Sequence, residues 1–203
     1  MAAGMKQTHA AAGLIAGKRP VFWLDMGVKV ALVALLAFGA FSGLEQFEGK
    51  AFGWRLLTYP LATLVVPIGW WLTGRRPPYP YAADILVTLP FLVDVAGNAL
   101  DLYDSVSWWD DFNHFLNWAL LTGGVAALLQ RTRVSRLELA ALAIGFGAVA
   151  AILWELAEYF AFIRGSDEEA TAYTDTLGDM SLGLLGATVA AVIAALLHRP
   201  AER

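Results

Sequence analysis

Residues 137–162 read LELAALAIGFGAVAAILWELAEYFAF, and the reading of this stretch decides the fold. Between Glu138 and Glu155 it holds no charged residue. A transmembrane helix needs about 20 predominantly apolar residues, and this run meets that length. It also carries Glu155 and Glu158 past its middle, where an acidic side chain costs about 2.5–3.5 kcal/mol at the helix centre and less toward the interface. The stretch therefore implies a membrane-spanning helix whose carboxylates must face something other than lipid.

Working outward, five further apolar runs of similar length lie at about 24–43, 56–73, 82–101, 111–130 and 177–197. Turn and charge signals separate most of them: Gly49-Lys50, Gly74-Arg75-Arg76-Pro77-Pro78, Arg131-Thr132-Arg133 and Gly165-Ser166-Asp167. The expected fold is all-α, a polytopic membrane protein built as a bundle of about six transmembrane helices. Residues 1–22 read as a short cytoplasmic arm, 23–198 as one six-helix domain and 199–203 as a cytoplasmic tail. The arm's apolar run from Ala10 to Gly17 is too short to span and precedes Lys18-Arg19. It reads as disordered or surface-lying and not as a cleaved signal peptide. No internal repeat is visible, so nothing points to an inverted-repeat transporter.

Composition agrees. Of 203 residues, 58% belong to the AVILMFWYC set and 16% are charged, against about 45–50% and about 25% for soluble domains. Mean hydropathy is +0.57. That excludes a disordered chain and argues against a soluble α/β enzyme. A net charge of -4 with no basic stripe argues against nucleic acid as a partner. With no cysteine there is no disulfide, zinc–thiolate site, iron–sulfur cluster or thiol catalysis.

Lys and Arg set the orientation. With the N-terminus inside, the inner segments hold Lys6, Lys18, Arg19, Arg75, Arg76, Arg131, Arg133, Arg136, Arg199 and Arg203, and the outer segments only Lys50, Arg55 and Arg164. Both termini are therefore expected to be cytoplasmic. On this topology Glu45, Glu48, Asp104, Asp110, Asp167, Glu168 and Glu169 fall in solvated outer loops. Asp25, Asp84, Glu138 and Glu202 lie near the inner face, Asp84 within reach of Arg75 or Arg76 and Glu138 near Arg136.

The remaining acids are Asp94, Asp101, Asp111, Glu155, Glu158, Asp175 and Asp179. At about 1.5 Å rise per residue all seven land at the outer end of the bundle, although the topology was chosen from positive charges alone. Their spacings are helical. Asp94, Asn98 and Asp101 stand at i, i+4, i+7; Asp111 and His114, like Glu155 and Glu158, at i, i+3; Asp175 and Asp179 at i, i+4. Each set shares one helix face. Asp175 could also cap the last helix, and Asp111 could serve a helix start. Glu155 and Glu158 have no such alternative.

Like charges packed together either hold protons or take a cation. The candidate metal ligands are Asp111, His114, Glu155, Glu158, Asp175 and Asp179, with Asp94, Asn98, Asp101 and Tyr159 as supporting neighbours. Helix-borne carboxylate and histidine pairs of this kind occur in di-metal bundles. A divalent metal is suspected, with Mg, Mn, Ca, Fe and Zn not distinguished, although oxygen-rich ligation suits Mg, Ca or Mn better. No organic cofactor is expected, and no catalytic residue is assigned. Gly123-Gly124, Gly145, Gly147, Gly183, Gly186 and Ala187 read as close-packing positions, and Pro60, Pro67 and Pro90 as kinks.

The runs Asp111-Phe112-Asn113-His114, Trp154-Glu155-Leu156-Ala157-Glu158-Tyr159 and Tyr173-Thr174-Asp175-Thr176-Leu177-Gly178-Asp179-Met180 resemble the YjdF-like family of uncharacterised bacterial inner-membrane proteins. The resemblance covers about residues 25–197. A fainter similarity to VanZ-like membrane proteins rests on the Asp-x-x-His helix start. The resemblance implies a multi-pass protein of the bacterial inner (plasma) membrane and makes the acidic constellation a family feature, but it supplies no substrate.

Three functions stay open at this point. One is a metal-dependent hydrolase or lipid-modifying enzyme acting at the outer leaflet. Another is a cation- or proton-coupled binding or transport protein. The third is a structural or assembly protein with a protonated acid cluster. The bilayer is the expected partner, and a homo-oligomer through the small-residue faces remains open.

Overall fold

A computed structural model describes residues 2–199, without the side chains of 2–19, 162, 167 and 168. The side chains of Lys6, His9, Lys18, Arg19, Asp167 and Glu168, together with Glu202, Arg203 and the rest of 200–203, lie outside the described residues. Among the described residues there is no strand. The chain is all-helical: α1 Ala2–Phe41, α2 Phe52–Thr58, α3 Ala62–Leu72, α4 Tyr81–Ala99, α5 Leu102–Ser105, α6 Trp109–Leu129, α7 Arg136–Glu158 and α8 Ala172–Leu197. Among the described residues, five helical stretches are long and apolar enough to cross a membrane: Pro20–Phe41, Tyr81–Ala99, Trp109–Leu129, Arg136–Ala161 and Ala172–Leu197. The backbone of the expected arm is helical and continuous with the first of these.

The run at 56–73, expected as one helix, is broken. Its helical segments are α2, a 3-10 turn at Tyr59–Leu61 and α3, and neither α piece is long enough to span alone. Pro60 has no N–H to give and its ring collides with the carbonyl four residues back, so the α-helix stops at Thr58. Thr58 Oγ1 donates to the Trp54 carbonyl (2.9 Å) and Thr63 Oγ1 to the Pro60 carbonyl (2.6 Å), which satisfies backbone acceptors around the break. Pro67 lies inside α3 without ending it, and Pro90 likewise inside α4.

The broken segment nonetheless carries the chain from one end of the bundle to the other. Phe52 packs at Gly39 near the end of α1. Trp70 Nε1 donates to the Arg76 carbonyl (3.0 Å), and its ring stands edge-on to Tyr79 at 5.2 Å. Tyr79 in turn donates to Asp84 at the start of α4. The Pro20 end of the first spanning stretch and the Leu197 end of the last therefore lie on one side. Phe22 stacks edge-on with Tyr81, Arg131 donates to the Pro78 carbonyl at 2.7 Å, and the His198 ring meets the Val134 carbonyl at 2.8 Å.

That end holds an unanticipated cluster. Lys29 Nζ lies 2.5 Å from Asp84 Oδ2 and 3.1 Å from Asp25 Oδ2, and both carboxylates are buried. Asp84 is thus paired with Lys29 and Tyr79, not with Arg75 or Arg76 as expected. Arginines in a solvated turn lose to an ammonium already fixed on the neighbouring helix. Ser135 caps α7 with a reciprocal capping box in which its backbone N–H donates to Glu138 (2.7 Å) and Glu138 N–H donates to Ser135 Oγ (3.2 Å).

In lipid, helices associate through close packing and not through the hydrophobic effect. The α6–α8 contact shows this. A Cβ at Gly186 would collide with the Phe115 carbonyl oxygen of α6, whereas at Gly145 it would meet nothing within 4 Å. Gly145 is therefore not the packing position its sequence context implied. Gly186→Ala is expected to destabilise the protein by about 1–3 kcal/mol through overpacking. Gly145→Ala is expected to stabilise it by up to about 1 kcal/mol through helix propensity. Thermal unfolding in detergent, with both variants side by side, checks the contrast.

Candidate metal centre

Three helices meet at the opposite end. His114 from the second turn of α6 stands among Glu155 and Glu158 of α7 and Asp179 of α8. His114 Nδ1 is 3.5 Å from Glu155 Oε1, and Nε2 is 3.7 Å from Asp179 Oδ1 and 3.8 Å from Asp110 Oδ1. Two groups of ligand atoms close enough for one ion result, Asp110–His114–Asp179 and His114–Glu155–Glu158, and His114 belongs to both. Glu155 is 4% exposed and Asp179 6%. Both His114 Nδ1 and Glu155 Oε1 are buried without a hydrogen-bond partner among the described residues. Buried polar atoms are normally paired, so these two orphans facing each other mark a gap that a donor or a cation would fill.

Four of the expected ligands are thus brought together: His114, Glu155, Glu158 and Asp179. Asp111 and Asp175 are exposed and belong to neither group. The partner of His114 on its own helix is Asp110, expected to be a solvated loop acid. Helix α6 begins at Trp109, which places Asp110 inside its first turn. At about 3.6 residues per turn, a residue four back is rotated 40° from His114 and one three back 60° to the other side. The closer angle, on the side facing α8, selects Asp110. Its i, i+4 spacing to His114 is present in the sequence, but only the helix start at Trp109 brings Asp110 onto the helix.

The supporting residues divide. Asp94 is half-buried and bound to Arg55 Nη1 at 2.5 Å, and it accepts from Tyr103 Oη at 2.8 Å. Asn98 is buried and donates to the Asp94 carbonyl at 3.0 Å. Asp101 lies between α4 and α5, where it precedes α5 in a left-handed conformation (φ 59°) and belongs to neither ligand group. It borders a surface cleft with Asp104, whose carboxyl the Lys50 ammonium at 2.5 Å holds below its usual range. Tyr159 opens a π-helical turn, Tyr159–Ile163, directly after Glu158. Its hydroxyl donates to Glu169 (3.3 Å), so it braces the α7–α8 loop. Trp154, which sequence reasoning did not select, donates from Nε1 to Glu158 Oε2 at 3.0 Å.

A cavity of about 120 Å³ adjoins the cluster. His114, Glu158 and Asp110 line it, and so do Asp94, Arg55 and Tyr59. Beyond it, toward the other end, Ala126, Leu139, Ala143, Ala191 and Ala195 form an apolar layer between α6, α7 and α8.

Fold and site together define a polytopic helical membrane protein with a partly buried carboxylate–histidine cluster at one end of its bundle. Residues 27–200 match the family described as predicted membrane protein (DUF2238), and the chain belongs to that family. The YjdF-like resemblance is consistent with this membership, and the similarity to VanZ-like proteins gains no support from it. No curated protein matches the chain, and no solved structure matches it.

Proposed function

We propose that this protein binds one divalent cation in the outer half of the bacterial inner membrane, through His114 Nδ1, Glu155 and Glu158. The single observation that carries the reading is the pair of buried, unpartnered atoms, His114 Nδ1 and Glu155 Oε1, facing each other at 3.5 Å. A neutral imidazole offers one nitrogen to a metal and donates from the other. Asp110 and Asp179 stand 3.8 and 3.7 Å from Nε2, beyond direct hydrogen-bond distance, and offer carboxylates toward which its N–H would turn once Nδ1 is engaged. Two glutamates and a neutral histidine balance the charge of one divalent ion and leave coordination positions for water or a substrate oxygen, as open sites do. His114 and Glu158 both border the cavity, so those positions are accessible. The apolar layer beneath favours a closed binding site over a conducting path.

The test is calorimetric titration of chelator-stripped, detergent-purified protein with Mn²⁺. One ion per chain is expected. No uptake of Mn²⁺, Mg²⁺, Ca²⁺, Fe²⁺ or Zn²⁺ would overturn the reading in favour of a proton-sharing acid cluster. The outward orientation rests on the Lys and Arg distribution. Reporter fusions after Arg133 are expected to read cytoplasmic and fusions near Glu168 external; the reverse would move the cluster to the cytoplasmic side.

A further inference from the structure

We infer that the cavity beside the cluster takes a phosphate group, held between the bound cation and the guanidinium of Arg55. This rests on the cation reading and adds the class of ligand. Arg55 reaches the cavity from α2, the first piece of the broken segment, and meets α4 there. A guanidinium carries five N–H donors in a planar fork. Asp94 Oδ2 engages Nη1 at 2.5 Å, and no other acceptor contacts the fork among the described residues.

Asp94, by contrast, is fully used. Its second oxygen accepts from Tyr103 at 2.8 Å, and Tyr103 is itself held by Asn113. The ring of Tyr59 lies 5.6 Å from the guanidinium carbon and that of Phe52 5.5 Å. Asp94 and these rings therefore fix the plane of Arg55 while leaving donors over. A buried ion pair adds little stability compared with an apolar pair of similar shape. Packing alone thus does not account for a guanidinium on the wall of a cavity already lined by Asp110 and Glu158.

Arginine forks match the oxygens of phosphate in geometry and charge. A cation with open positions bordering the same cavity supplies the second point of attachment. The volume, about 120 Å³, holds several waters or one small polar group. It has room for a phosphate headgroup and not for the chains behind it. The same chemistry could come from free phosphate or from a phosphate-bearing lipid.

The experiment uses the full chain in detergent. Mn²⁺ is titrated first; inorganic phosphate and short-chain phosphatidic acid are then titrated into the Mn²⁺-loaded protein. Wild type is expected to bind phosphate, and Arg55→Gln to bind it at least about tenfold more weakly. Arg55→Lys keeps the charge opposite Asp94 but lacks the fork, and is expected to fall between them. It also serves if the glutamine variant fails to fold. Tighter binding of phosphatidic acid than of inorganic phosphate identifies a lipid source, and equal binding a free one. Mn²⁺ uptake with no phosphate binding, or with equal phosphate binding in all three proteins, overturns the inference and leaves the cation site standing. Absence of Mn²⁺ uptake overturns both, because the clamp needs its cation.

Discussion

Glu155→Gln is expected to abolish cation uptake while the fold survives. The side chain is 4% exposed, and its Oε1 faces His114 Nδ1 with no other partner. An amide has the same shape but no charge, and so cannot replace a carboxylate ligand. Loss of an outer partner of a metal ligand already weakens binding by about 10–100-fold, so loss of a ligand is expected to reach at least about 100-fold. In wild type, Mn²⁺ at a hundred times its dissociation constant should raise stability by about 2.7 kcal/mol; Glu155→Gln should show no such rise. The metal-free variant should be no less stable than metal-free wild type, because a buried carboxylate without a partner is destabilising. Calorimetry and thermal unfolding with and without Mn²⁺ read both effects. Asp110→Asn should weaken Mn²⁺ by about 10–100-fold through His114, whereas Asp111→Asn should leave it unchanged. Equal losses in the two would contradict the register described for α6.

Asp84→Ala is expected to destabilise the opposite end by about 1–3 kcal/mol, the cost of leaving buried donors without their acceptor. Asp84 is 0% exposed, and its carboxylate receives Lys29 Nζ at 2.5 Å and the Tyr79 hydroxyl. Burial and the adjacent carboxylate hold the Tyr79 phenol well above its usual range, so it stays a donor. Removing Asp84 leaves the Lys29 ammonium with Asp25 alone at 3.1 Å and strands the phenol. The triple variant Asp25→Leu, Lys29→Met, Asp84→Leu removes all three charges together and should recover most of the loss, since apolar replacement of a whole buried ion cluster is often neutral or stabilising. Equilibrium unfolding of the two variants against wild type measures this. A loss in the triple variant as large as in Asp84→Ala would mean that the ion cluster itself stabilises the α1–α4 contact.

The helices were legible because their signal is local. An apolar run of about 20 residues has few alternatives to spanning a bilayer, since lipid offers its backbone no hydrogen-bond partner. The break at Thr58–Leu61 was only half legible. Pro60 announced a disturbance, but whether a proline kinks a helix or divides it depends on which neighbours satisfy the freed carbonyls. Here the hydroxyls of Thr58 and Thr63 add bonds to the Trp54 and Pro60 carbonyls around the break. Gly145 and Gly186 look alike in sequence and differ only in what stands across from them.

By itself the sequence determined the membrane fold, the grouping of acids toward one end of the bundle and the helical pairs at Glu155 and Glu158, all of which follow from composition and from spacing along one helix. Tertiary structure alone decided which of these acids share a centre. It chose Asp110 over Asp111, left Asp175 in the open, joined Lys29 to Asp84 and turned Arg55 into the cavity beside His114. The physical reason is that these choices depend on helix rotation and on partners far apart in the chain, such as Lys29 with Asp84 and His114 with Asp179. A rotation of some tens of degrees moves a carboxylate from a buried cluster to the surface without changing the hydrophobic pattern that the sequence displays.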